Sequence, residues 1–184
     1  MVNRIINGLN RQMIRLLLRI KKVRFESVPT FFGSWPDINN QGFISLGVDC
    51  TFRSFRIRHH IAVYEDAELI IGECAFFNDG LNLCATMSIK IGHHVKIGDM
   101  TYIYDSDFHH VSSGQQVKRL PVSIGNNVWI CANTMILPGS VIGDHSVIAA
   151  GSIVTGEIPP RCMAAGSPAK PVRNLNIPDG WLRT

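Results

Sequence analysis

The sequence predicts an all-β fold: a parallel solenoid wound as a triangle, preceded by a short amphipathic helix and interrupted once by an extruded loop. Three observations lead there. Aliphatic residues recur every six positions over much of the chain, no helical segment is visible after Pro36, and 184 residues with 46% apolar content suffice for one domain with a real core. A period of six matches neither a helix nor a simple strand. It suits a coil of about 18 residues with one short strand on each of three faces.

Residues 1–36 read as a basic amphipathic helix and linker. Val2, Ile5, Ile6, Leu9, Met13, Leu16, Leu17 and Ile20 follow helical spacing, with Arg4, Arg11, Arg15, Arg19 and Lys22 on the other side. Such a helix either packs on the body of the protein or a neighbouring subunit, or rests on anionic lipid through residues 1–24. Pro29 and Pro36 are expected to separate it from the repeats.

Residues 37–173 form the expected solenoid. Ile71, Phe77 and Leu83 mark three hexads, and Ile91, Ile97 and Ile103 three more. Ile124, Ile130, Ile136, Ile142, Ile148 and Val154 continue without a break. Four positions after each of these last six stand Val128, Thr134, Ser140, Ser146, Ser152 and Ile158, mostly small enough to share a narrow axis. Gly72, Gly92, Gly98, Gly125 and Gly143 follow aliphatic positions, where a tight corner would need glycine. Between Leu46 and Leu69 the register is weak, and 174–184 read as a tail.

The count also locates the loop. After Ile103 the next coil should restart at position 109, yet it restarts at Ile124, leaving residues 109–123 extruded. His109 then stands at the loop's root, beside a rigid scaffold, where functional residues concentrate.

Charge and cysteine content exclude several classes. Seven of the 18 basic residues fall in the first 24 positions, so a nucleic-acid footprint is not expected beyond that segment. Five cysteines without a C-x-x-C pair fit reduced thiols of a cytoplasmic protein better than disulfides or a zinc site. No apolar run approaches the ~20 residues of a membrane span, and Arg15 and Arg19 interrupt the one that resembles a signal peptide. The expected location is therefore cytoplasmic, with a peripheral contact at the inner face of the membrane if the basic helix binds lipid.

From Ile71 to Arg173, and most strongly in "PVSIGNNVWICANTMILPGSVIGDHSVIAAGSIVTGEIPPRCMAAGSPAKPVR", the chain resembles the hexapeptide-repeat acyltransferases. Within that family it is similar to the maltose, galactoside and streptogramin O-acetyltransferases and to small enzymes that decorate surface polysaccharides. The resemblance implies a left-handed β-helix, a homotrimer with sites between subunits, and acetyl-CoA as donor with no metal. It implies His109 as general base, with His110 the lesser candidate, and Asn78 touching the acceptor sugar. Coenzyme A contacts would fall to Trp129, Cys131, Ala132, Ala150, Thr155, Lys170 and Arg173. Two departures stand out: Cys131 replaces the glycine usual after "VWI", and Gly156 replaces a lysine often found after the threonine.

The chemistry suits these residue types. Acetyl transfer to a hydroxyl needs a base near pKa 7, which histidine provides with little tuning. Backbone N–H groups from Trp129 to Ala132 are candidate oxyanion donors. Asp105 and Asp107 would orient the imidazole or bind sugar hydroxyls, or else cap the loop. His59, His60, His93, His94 and His145 read as surface or corner residues, and Cys131 as a packed side chain. Two alternatives remain: a serine-acetyltransferase-like enzyme, for which the N-terminal segment is too short, and a metal-dependent carbonic anhydrase-like β-helix protein, which needs three converging histidines.

Overall fold

The computed structural model describes residues 11–183. Positions 1–10, which carry Val2, Arg4, Ile5, Ile6 and Leu9 of the expected helix, lie outside the described residues. Helix α1 spans Arg11–Ile20. Ile14 and Leu18 are buried against the first strand, whereas Leu16 and Ile20 stay exposed. The helix ends at Ile20, the chain turns at Lys22 with a positive φ of 54°, and Asn40 Nδ2 donates to the carbonyls of Lys21 and Lys22.

Three short parallel strands then make one coil, repeated through about six turns. The first coils are β1 (Val23–Phe25), β2 (Thr30–Gly33) and β3 (Asp37–Asn40), then β4 (Phe43–Leu46), β5 (Thr51–Ser54) and β6 (His60–Val63). They are followed by β7 (Glu68–Ile71), β8 (Phe76–Phe77) and β9 (Asn82–Ala85), and by β10 (Ser88–Ile91), β11 (Lys96–Ile97) and β12 (Tyr102–Tyr104). After the loop come β13 (Val122–Ile124), β14 (Trp129–Ile130) and β15 (Met135–Ile136), then β16 (Val141–Ile142), β17 (Val147–Ile148) and β18 (Ile153–Val154). β19 (Glu157–Ile158) and β20 (Cys162–Gly166) finish the stack, and β21 (Ala169–Asn174) turns back antiparallel to β20. Strands β1, β4, β7, β10, β13, β16 and β19 form the first face. Strands β2, β5, β8, β11, β14, β17 and β20 form the second, and β3, β6, β9, β12, β15 and β18 the third.

The solenoid therefore begins at Val23, earlier than position 37. Pro29 and Pro36 occupy corners of its first coil instead of dividing helix from body, a location where the missing N–H breaks no ladder. The early coils hid from the hexad count because aromatic residues fill them. Phe31, Phe52 and Phe77 stack inside the second face with centroids 5.1 and 4.7 Å apart, directly below Ile97, Ile130 and Ile148. On the first face Leu46, Ile71, Ile91, Ile124, Ile142 and Ile158 stand in register and are all buried. Ile158 is thus a strand position and not a small-residue slot, because only residues 155–156 separate β18 from β19.

The small inward residues satisfy the corners. Thr101, Thr134 and Ser140 donate their hydroxyls to the carbonyls of Gly98, Cys131 and Leu137 at 3.0, 2.8 and 2.6 Å. Gly98 is needed for a different reason than the expected one. Its φ is not positive; a Cβ there would lie 2.6 Å from the Ala132 nitrogen of the next coil. The left-handed conformation falls two residues later in such corners, on residues such as Asn127, Asn133 and His145.

Candidate functional site

The triangular coil sorts the expected site residues onto edges. Strand register puts Phe77, Ile97, Ile130 and Ile148 in one column, so the residues that follow them form a second column along the edge between the second and third faces: Asn78, Gly98, Cys131 and Ala149. Ala132 and Ala150 stand one step further round the same edge. Their small side chains leave the backbone along this edge open to close approach. A cavity of about 360 Å³ opens beside this edge, lined by Asn78, Lys96, Gly98 and Trp129 among others. The Asn78 Oδ1 atom is buried there without a hydrogen-bond partner.

His109 lies on the neighbouring edge, between the third and first faces. The excursion leaves the solenoid after β12 and returns at β13, and its root is an antiparallel clasp. Ser106 bridges Arg119, Asp107 N donates to Lys118 O at 3.0 Å, and Leu120 N donates to Asp105 O at 3.0 Å. The clasp places His109 just beyond the root, further out than the hexad count implied. Its backbone N donates to Asp107 O at 2.7 Å, which tightens the turn. His110 differs, since its Nδ1 is engaged with the carbonyl of Gln115 within the loop. Thr155 is exposed on the same edge as the loop.

Asp105 corrects one expectation. It is wholly buried, and both oxygens are occupied by the backbone N–H groups of Thr86, Met87 and Ser88 and the Thr86 hydroxyl. It anchors the loop root and has no oxygen left for a sugar. Asp107 is only half-buried. The oxyanion-donor expectation also narrows. Trp129 N and Cys131 N are spent on Ser146 O and Ile148 O of the next coil.

His59 is no surface residue. It is fully buried against Phe52, and its Nδ1 accepts from Leu81 N at 3.2 Å. Burial lowers its pKa to about 4, against an opposing pull from Asp79. The Cys131 thiol is pushed up by burial, with the Arg183 charge opposing, so it is held as a thiol rather than a nucleophilic thiolate. Among the described residues no three His, Cys, Asp or Glu side chains converge to hold a metal ion.

Lys170 and Arg173 are exposed on β21, the last strand of the second face, where they can meet phosphate groups. Two further cavity walls, Trp181 and Arg183, went unrecognised in the sequence analysis. The buried Asn127 amide clips this tail in place, donating to Trp181 O at 2.9 Å and accepting from Arg183 N at 2.9 Å. The only local hint is "PDGW", a turn signal leading into an aromatic–basic pair.

Comparison with known proteins agrees with this geometry. Residues 121–156 match the family described as bacterial transferase hexapeptide (six repeats). Galactoside O-acetyltransferase of Escherichia coli (strain K12) is 35% identical over 127 residues, which cover 69% of this chain and 54% of that protein. The chain thus spans about half the length of this curated relative. A hexapeptide-repeat acetyltransferase from Vibrio cholerae O1 biovar eltor, solved with acetyl coenzyme A, is 32% identical with a TM-score of 0.53, covering 58% of this chain and 61% of that one. A maltose O-acetyltransferase from Clostridium difficile 630 is 25% identical with a TM-score of 0.56, covering 95% and 81% respectively. A triangular parallel solenoid built on a six-residue repeat, with relatives of the same kind, identifies residues 121–156 as bacterial transferase hexapeptide repeats and makes the chain similar to the acetyltransferases that carry them.

Proposed function

We propose that the protein transfers an acetyl group from acetyl-CoA to a hydroxyl of a sugar or a surface-polysaccharide precursor. The acceptor hydroxyl attacks the thioester carbonyl while His109 takes its proton. The tetrahedral intermediate expels the coenzyme A thiolate as the C–S bond breaks, and His109 returns the proton to sulfur. Asn78 holds the acceptor through its buried, unpartnered Oδ1. The observation that carries this reading is the column of Asn78, Gly98 and Cys131 beside Ala132 and Ala150, a groove of small residues with one unsatisfied acceptor at its end.

The distribution over edges supports a homotrimer. His109 and Thr155 lie on one edge; Asn78, Ala132 and Ala150 lie on another. A single chain does not join them, but a cyclic arrangement that sets one edge against a neighbour's other edge does, once per interface. We further assign the exposed side of α1 to the anionic inner face of the membrane, since Leu16 and Ile20 stand beside Arg15 and Arg19.

The test is thiol release from acetyl-CoA across a panel of sugars and nucleotide sugars. His109→Ala should lose about 10²–10⁴-fold in kcat, and His110→Ala, whose ring is committed to its own loop, should lose far less. Wild-type turnover by His109→Ala would overturn the assignment.

A further inference from the structure

The described residues hold one cavity where two cations face two tryptophans, and no acid lines it. Lys96 and Arg183 supply the charge, Trp129 and Trp181 the flat walls, and Asn78 the unpartnered oxygen. Neither cation forms an ion pair with a carboxylate among the described residues. Each meets only neutral groups, Lys96 Nζ lying 5.9 Å over the Phe76 ring and Arg183 against carbonyls and Trp181, so no formal negative charge in the cavity lining offsets their desolvation. A negatively charged ligand would offset it, and the cleft would draw that ligand in.

Arg183 is held like a fixed recognition group. Its Nε donates to Asn127 O at 3.2 Å and its Nη2 to His145 O at 2.9 Å, while the guanidinium lies 5.1 Å over the Trp181 ring. These bonds use two of the five donors of a guanidinium. The rest stay in a fixed fork suited to a carboxylate or a phosphate. Indole faces suit the apolar C–H face of a pyranose, and the lone Asn78 Oδ1 suits a sugar hydroxyl.

We infer that the tail residues Trp181 and Arg183 are the selecting wall of the acceptor site, and that they choose a saccharide carrying a carboxylate or a phosphate. This rests on the proposed acetyl transfer only in calling the ligand an acceptor. The phosphates of coenzyme A have a separate cationic strand. Lys170 and Arg173 lie on β21, four strands from Lys96 on β11 and two from β17, just before which Arg183 bonds the His145 carbonyl, or roughly 19 and 10 Å at the usual strand spacing. The Arg183 charge reaches the Cys131 thiol on the groove edge, so the tail borders the place where the thioester would end.

The experiment measures binding and turnover separately, with galactose, galacturonic acid and galactose 1-phosphate as probes. Tryptophan fluorescence reads binding without any reaction, and thiol release reads transfer. The wild type should bind at least one charged probe about 10-fold tighter than galactose, with the margin shrinking in high salt. Arg183→Gln should erase most of that margin, Arg183→Lys should keep part of it, and neither should raise the KM for acetyl-CoA. Which charged probe wins tells a carboxylate from a phosphate. An unchanged margin in Arg183→Gln overturns the inference, and so does a rise in KM for acetyl-CoA, which would make the tail a donor contact. Charge-selective binding without thiol release would leave the inference standing and sink the proposed reaction instead.

Discussion

Asp105 and Thr86 are joined twice: one carboxylate oxygen accepts from the Thr86 backbone N at 2.7 Å and from its hydroxyl at 2.9 Å. The other oxygen serves Met87 N and Ser88 N, at 2.7 and 2.8 Å. The residue before the extruded loop is thereby bolted to the turn after β9, one coil below. Asp105→Ala would leave three backbone donors without their acceptor, at a cost on the order of 3 kcal/mol. We expect a lowered Tm and a loss of transfer activity as the His109 loop drifts. Asp105→Asn should fall between the two, since its Nδ2 would face donors. A wild-type Tm with impaired acceptor binding would return Asp105 to the sugar site.

His59 makes stability depend on pH. Its folded pKa of about 4 lies below the ordinary value of 6.5, because burial disfavours the cation. The unfolded chain therefore binds this proton first as pH drops. Stability attributable to His59 is complete above pH 6.5 and is lost progressively down to about pH 4, for a total on the order of 3 kcal/mol. Thermal melts at pH 7.5, 6, 5 and 4 should show the decline. His59→Gln keeps an acceptor for Leu81 N but cannot titrate, so its melts should vary less over that window while starting lower. Parallel slopes for the two proteins would assign the acid sensitivity to other groups.

The later coils were legible in the sequence because one aliphatic residue per face repeats at a constant interval. From Ile124 to Val154 the strand register follows that count. The earlier coils were not, because Phe31, Phe52 and Phe77 take the aliphatic place and the corners change length. The Asn78 groove follows directly from the period, since corner residues of successive coils must stack. The chemistry of a carboxylate cannot be read the same way. Asp105 and Asp107 look alike in sequence, and only the chain folding back from one coil below reveals that Asp105 is spent. Arg183 was invisible for a similar reason. Its contact with Asn127 spans 56 positions and follows no repeat.

Gly98 and Gly156 should respond in opposite ways to an added side chain. A Cβ on Gly98 would meet the Ala132 backbone at 2.6 Å, with no flexible atom to give way. Gly98→Ala should cost about 1–3 kcal/mol and narrow the groove. Around Gly156 nothing lies within 4 Å and its φ needs no glycine. Gly156→Lys, which adds the cation that the sequence resemblance led us to expect there, should fold normally and lower the KM for acetyl-CoA several-fold. Phosphate contacts are ionic, so the gain should shrink as salt is raised. A gain that persists in high salt would mean the lysine acts by other means.

Helix α1 splits its apolar side between two uses. Ile14 and Leu18 are buried on the solenoid, while Leu16 is 58% and Ile20 65% exposed. Arg15 and Arg19 flank the exposed pair, so this side combines apolar insertion with a charge that anionic headgroups favour. Vesicles of phosphatidylcholine with phosphatidylserine should sediment the protein, and phosphatidylcholine alone should not. Leu16→Asn with Ile20→Asn should abolish sedimentation without lowering Tm, because neither side chain packs into the core. Each basic residue near the surface contributes about 1 kcal/mol, so Arg15→Gln and Arg19→Gln together should weaken binding by about one to two decades. If Leu16→Asn and Ile20→Asn instead split the oligomer, the face is a subunit contact. Vesicle binding by the intact protein would then be absent as well.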